Sequence, residues 1–116
     1  MMVLLTQGIN RFRDLIYTDL KDGILGSSGT EVYVTDTTIG TVIAGTTHTL
    51  TKTKFNKGLK LDFITDVGDG SGSSAREFVT TDSTDAVVSR AVFPQVDIIA
   101  ATQVSVTTQI LMLQEL

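Results

Sequence analysis

Apolar positions follow two different periods along this chain. From Thr6 to Leu20 they recur every three to four residues, at Ile9, Phe12, Leu15/Ile16 and Leu20, with Arg11, Arg13, Asp14 and Asp19 between them. That spacing puts the apolar residues on one side of a helix covering roughly 6–20. Thr6 stands where an N-cap belongs and Asp22-Gly23 where a helix stops. An isolated amphipathic helix of this length is marginal in water, so it has to lie against another part of the fold.

Beyond the helix the period becomes two. Ile24-Leu25 is a short apolar pair closed by Gly26-Ser27-Ser28-Gly29, and Glu31-Val32-Tyr33-Val34-Thr35 alternates. Thr41 to Phe55 reads as one long β run, with Thr47, Thr49, Thr51 and Thr53 on one face and His48, Leu50, Lys52 and Lys54 on the other. A turn at Asn56-Lys57-Gly58 leads into Leu59–Thr65, whose Leu59, Leu61 and Phe63 face the core. Asp66–Ser74, rich in glycine and serine, is expected as a flexible hairpin loop. Strands follow at Ala75–Thr80 and Ala86–Phe93, joined by the turn 81–85, with Pro94 ending the second. In the last strand, over 102–113, Val104, Val106, Ile110 and Met112 share a face and Ser105, Thr107 and Gln109 the other; Leu111 and Leu113 make its end apolar on both sides. Such a strand end is usually covered. The expectation is a mainly β protein, one domain over 1–116: an antiparallel β-sandwich at about 24–113 with one N-terminal amphipathic helix.

Composition narrows the chemistry. Threonine makes up about one residue in six, which suits half-solvated strands. A chain of 116 residues buries roughly two thirds of its unfolded surface, enough for one modest core. With no cysteine there is no disulfide framework, thiolate metal site or cysteine nucleophile. A net charge of −4 and a pI near 4.7 argue against nucleic acid as a partner. No apolar run approaches a membrane span, and Met1–Leu5 is too short for a signal-peptide core, so neither feature is expected.

The candidate sites are few. His48, between two threonines, has no nucleophile motif around it and reads as an ordinary strand histidine. Asp66-Val67-Gly68-Asp69-Gly70 has the acidic, glycine-rich character of calcium loops but matches neither the EF-hand spacing nor the glycine-aspartate nonapeptide, so no metal or other cofactor is expected. Lys52, Lys54, Lys57 and Lys60 form a basic cluster, read as a solvated hairpin face that discourages edge pairing. Nothing in this inventory amounts to an active site, and the chain is not expected to be an enzyme.

The order of short motifs is more telling. Gly8-Ile9-Asn10-Arg11-Phe12-Arg13-Asp14-Leu15-Ile16 comes first, then Gly26-Ser27-Ser28-Gly29-Thr30 and the turn Thr35-Asp36-Thr37-Thr38-Ile39-Gly40. Ala75-Arg76-Glu77-Phe78, Val88-Ser89-Arg90-Ala91-Val92-Phe93 and an alternating terminal strand complete the series. This order resembles the small β-rich structural proteins of tailed viruses, found in tail fibre, baseplate and collar modules. After arginine-glutamate-x those proteins usually continue with glycine-leucine-phenylalanine, where this chain has Val79-Thr80-Thr81.

The resemblance implies a structural virion protein of a tailed bacteriophage or archaeal virus, made in the host cytoplasm and assembled as a homo-oligomer in the tail, baseplate or fibre region. Its partners would be copies of itself and other virion proteins. Alternatives are a capsid decoration protein of the head, and a carbohydrate-binding adhesion sandwich touching a host-surface glycan. The residues expected at an oligomer or partner interface are Ile9, Phe12 and Ile16 of the helix, Arg76, Glu77 and Arg90 of the middle strands, and Leu111 and Leu113 of the last.

Overall fold

In the computed structural model the described residues are 5–33 and 41–112. A helix, α1 (Thr6–Asp19), is followed by seven strands: β1 (Leu20–Gly26), β2 (His48–Thr49), β3 (Thr51–Phe55), β4 (Gly58–Ile64), β5 (Ser74–Asp82), β6 (Val87–Asp97) and β7 (Ser105–Leu111). They form two antiparallel sheets, one in the order β2-β1-β5-β6 and the other β3-β4-β7. The protein is thus mainly β, with two sheets and one N-terminal helix, as the periodicity predicts. The run expected as one strand over Thr41–Phe55 is instead divided: β2 belongs to one sheet and β3 to the other. Leu50, buried between them, donates its amide to the Lys21 carbonyl at 3.0 Å and carries the chain from one layer to the next.

Period-two patterning places the core. Leu59, Leu61 and Phe63 of β4 point inward, opposite Ile110, Thr108 and Val106 of β7. From the facing sheet come Leu25, Ala75 and Phe78. The Phe63 and Phe78 rings meet across the layers with centroids 5.1 Å apart, within the range of a favourable aromatic pair. Gly23 of β1 lies beneath that contact. A Cβ there would fall 2.5 Å from Phe63 Cδ2 and 2.6 Å from Phe78 Cε2, so the rings occupy the place of a side chain. Asp22-Gly23 is therefore not a helix stop but part of a strand, and the glycine is required by packing.

The helix continues the inner layer. Ile9 is buried, and Ile16 and Tyr17 pack against the core cluster. Register puts Lys52 opposite Leu61 and Lys54 opposite Leu59, on the row that faces α1. Lys52 Nζ donates to the carbonyls of Tyr17 and Leu20, both at 2.6 Å, satisfying groups that a helix end leaves without partners. The ammonium groups of Lys52 and Lys54 lie 4.8 and 4.6 Å from the centre of the Tyr17 ring, and Lys54 also reaches Asp14 at 3.2 Å. Those two lysines thus hold the helix, correcting the expectation of a freely solvated basic face.

Other boundaries differ from expectation for local reasons. Leu5, not Thr6, takes the N-cap position, with no side-chain cap, and Leu20 serves both as helix C-cap and as the first residue of β1. Residues 31–33 are exposed and form no strand; Val34, Thr35, the rest of the turn to Gly40, and Leu113 lie outside the described residues. Pro94 does not end β6. The pairing of β5 with β6 shifts between Ala75 and Glu77, so Pro94 sits at a bulge on an edge strand, where its missing amide breaks no ladder bond. The loop 66–73 is not a hairpin, because β4 and β5 belong to different sheets. It crosses between layers in tight turns at Gly68, Gly70 and Gly72, with φ of 86°, 75° and 89°, and is bonded to Ile98 and Thr102.

Gly23→Ala is expected to lower the free energy of unfolding by about 1–3 kcal/mol through overpacking of the two rings. Urea denaturation measures it, and an unchanged midpoint would contradict the packing argument. Three surface carboxyls titrate below their ordinary value of 3.8: Asp14 through Arg13 and Lys54, Asp82 through the hydroxyl and amide of Thr84 and the amide of Ala86, and Asp97 through Gln95 and Ser74. A depressed acid stabilises the fold above its unfolded value and loses that contribution as pH falls through the folded one. Stability should therefore decline below about pH 4, and a urea midpoint that holds steady down to about pH 2.5 would contradict this.

Candidate functional site

Glu77 of β5 and Arg90 of β6 form the most enclosed charged group. Their register is diagonal, Glu77 opposite Val92 and Val79 opposite Arg90, which brings Arg90 Nε to 2.5 Å from Glu77 Oε2. The glutamate side chain is fully buried and that of Arg90 is 4% exposed. Room for the carboxylate comes from Gly26, directly opposite in β1, because any Cβ there would overlap it. Glu77 Oε1 also accepts the amides of Ser28 and Thr41, each at 3.3 Å. Arg90 donates onward to Thr30, through its carbonyl at 3.1 Å and hydroxyl at 3.2 Å, and to the Glu31 carbonyl at 3.4 Å. The pair thus draws the chain on both sides of residues 34–40 onto the outer face of the sheet. The pair acts as a clasp that bonds the two charges to each other and to residues 28–31 and Thr41.

A second cluster joins the two layers. His48 of β2, half-buried and edge-on to Phe63, has Nε2 at 2.7 Å from Asp69 Oδ2. The same oxygen accepts the Asp66 amide at 3.0 Å. Among the described residues Asp69 is the only hydrogen-bond partner of the imidazole, and no hydroxyl is bonded to it as a nucleophile would be. One ligand atom each from His48, Asp66 and Asp69 lie within 4.8 Å of one another. An imidazole with two carboxylates suits a borderline transition ion better than calcium, whose ligands are oxygens. As it stands, the arrangement fastens the interlayer loop to the edge of β2.

Apolar side chains left outward form the third feature. Among them are Leu5 at the helix N-cap, Phe12 and Leu15 on α1, and at the end of β7 Leu111, which is 56% exposed. The helix and β7 meet at the β3–β4 turn, where Asn10 Oδ1 accepts the Lys57 amide and the Lys57 carbonyl accepts that of Met112. An open groove of about 300 Å³ lies between Phe93 and Val96 of β6 and Val104 and Val106 at β7.

The expected interface residues therefore separate by burial. Phe12 and Leu111 are exposed, and Ile16 is half-buried against the core. Arg76 is exposed and bonded to Gln95, which continues to Ser74 and Asp97. Ile9, Glu77 and Arg90 are turned into the protomer and present no side chain for docking, because each completes a contact within the fold. Sequence reasoning missed Asp69 as the partner of His48 and Lys52 as the helix cap. Both contacts link residues far apart in the chain, so no local spacing signals them. Comparison of the chain with family models, with curated proteins and with solved structures finds no match.

Replacing Glu77 by Gln is expected to cost about 3–5 kcal/mol, since it removes the carboxylate charge bonded to the buried Arg90 guanidinium. Arg90→Met should cost a similar amount, and the double variant clearly less than the two together. A double-mutant cycle from urea denaturation measures the coupling, and additive losses would contradict a direct pair.

Proposed function

We propose that this chain is a structural virion protein of a tailed bacteriophage or archaeal virus, assembling with copies of itself in the tail, baseplate or fibre region and performing no catalysis. The observation that carries the assembling part of this reading is the apolar surface left outward on α1 and at the end of β7, at Leu5, Phe12, Leu15 and Leu111. Large apolar side chains left in solvent are where interaction sites are built. By contrast, the charged clusters act as fasteners: Glu77 and Arg90 hold a loop, and His48 and Asp69 hold another. The viral part rests on the ordered series of short motifs from Asn10-Arg11 to Arg90-Ala91-x-Phe93. No helix among the described residues is long and apolar enough to cross a membrane.

Purified particles of the virus that carries this sequence provide the test. Mass spectrometry and image reconstruction should find the chain at a fixed copy number in the tail or baseplate. Copies confined to the head would favour the decoration protein instead, and absence from intact particles would overturn the virion reading.

A further inference from the structure

We infer that β7 is an assembly edge, where the strand pairs antiparallel with β7 of a second copy about a two-fold axis at Thr108. This rests on the reading that the chain assembles with itself and names the surface used.

The four sheet edges are protected to different degrees. An edge strand presents unpaired amides and carbonyls, and proteins that stay monomeric blunt such edges with brevity, lysine, proline, bulges or cover. Edge strand β2 has two residues. On β3 are Lys52 and Lys54, and the strand runs beside α1, whose Arg13 donates to the Phe55 carbonyl at 2.8 Å. On β6 there are Pro94 and register shifts in its pairing. Among the described residues none of these devices is present on β7: from Thr102 to Met112 there is no charged residue, proline or glycine, and the pairing with β4 runs without a shift. Among the described residues no strand lies on its outer side.

The ladder fixes which backbone groups are open. Thr65 donates to the Val104 carbonyl and Met112 to the Lys57 carbonyl, so the even-numbered residues of β7 bond to β4. Alternation then turns the amides and carbonyls of Ser105, Thr107, Gln109 and Leu111 to the free side. A two-fold axis at Thr108 pairs Ser105 with Leu111 and Thr107 with Gln109, each twice by symmetry, which gives about eight hydrogen bonds between the copies. The same register sets Val106 beside Ile110, Val104 beside Met112 and Thr108 beside itself on the inner row. Aliphatic residues of the second copy thereby cover the Phe93–Val106 groove, which opens at this edge. With no charge on the strand, self-pairing opposes no like charges, although the chain as a whole carries −4.

Sedimentation of the full chain across micromolar concentrations, compared with variants, tests this. The wild type should dimerise. Gln109→Pro removes an outward amide and leaves the bonds to β4 in place; Thr107→Lys with Gln109→Lys sets lysines opposite each other on the exposed outer row. Each should weaken dimerisation at least about tenfold with the dilute melting temperature unchanged, and Thr53→Lys on β3 should leave it as it is. If Gln109→Pro fails to fold, the lysine pair still decides. Dimers indifferent to both β7 variants would overturn this edge while leaving self-assembly standing. A wild type that stays monomeric at every concentration would overturn both.

Discussion

The two sheets of this protein approach each other through Phe63 and Phe78, and they can do so because residue 23 has no side chain. The rest of the architecture follows from that contact. With few aromatics and one modest core, the fold concentrates its burial on this ring pair and the aliphatic row of Leu25, Leu59 and Leu61 around it. Strand β1 then carries glycines on both its faces. Gly23 admits the rings on the inside, and Gly26 admits the Glu77 carboxylate on the outside. Glycine within a strand costs roughly 0.5–1 kcal/mol of conformational entropy. Here it allows a central strand to be packed closely on one side by rings and on the other by a buried ion pair.

The remaining elements complete the enclosure in different ways. Helix α1 covers the part of β3 and β4 that the four-stranded sheet does not reach, and Lys52 closes the helix end by taking two of its last carbonyls. Glu77 and Arg90 draw the 28–31 segment and Thr41 onto the outer face, while His48 and Asp69 bind the interlayer loop to β2. The most enclosed charges are thereby spent on holding the chain together. Apolar residues of α1 and the uncharged outer side of β7 are left facing outward.

Much of this was legible in the chain. Alternation at Leu59, Leu61 and Phe63 and at Val104 and Val106 marks the inner rows of β4 and β7, and the three-to-four spacing marks α1, because those signals are local and periodic. The connections were not legible. Residues 41–55 read as one strand, since a switch from one sheet to the other at Leu50 leaves the alternation intact. Pro94 read as a terminator, since nothing local says that its strand is an edge with a bulge. Of the residues expected at an interface, Arg76, Phe12 and Leu111 are exposed, whereas Glu77 and Arg90 are buried. A charged strand residue looks the same in sequence whether it answers solvent, a partner or the next strand, and only the register distinguishes them.

On this reading the fold is closed within the protomer at its other sheet edges and open at β7. Hydrogen exchange of individual β7 amides at low and high protein concentration tests that statement most directly. The amides of Val106, Thr108 and Ile110, which face β4, should be protected at both concentrations, and those of Thr107, Gln109 and Leu111 only at the higher one. Outward amides that exchange equally fast at every concentration would contradict it.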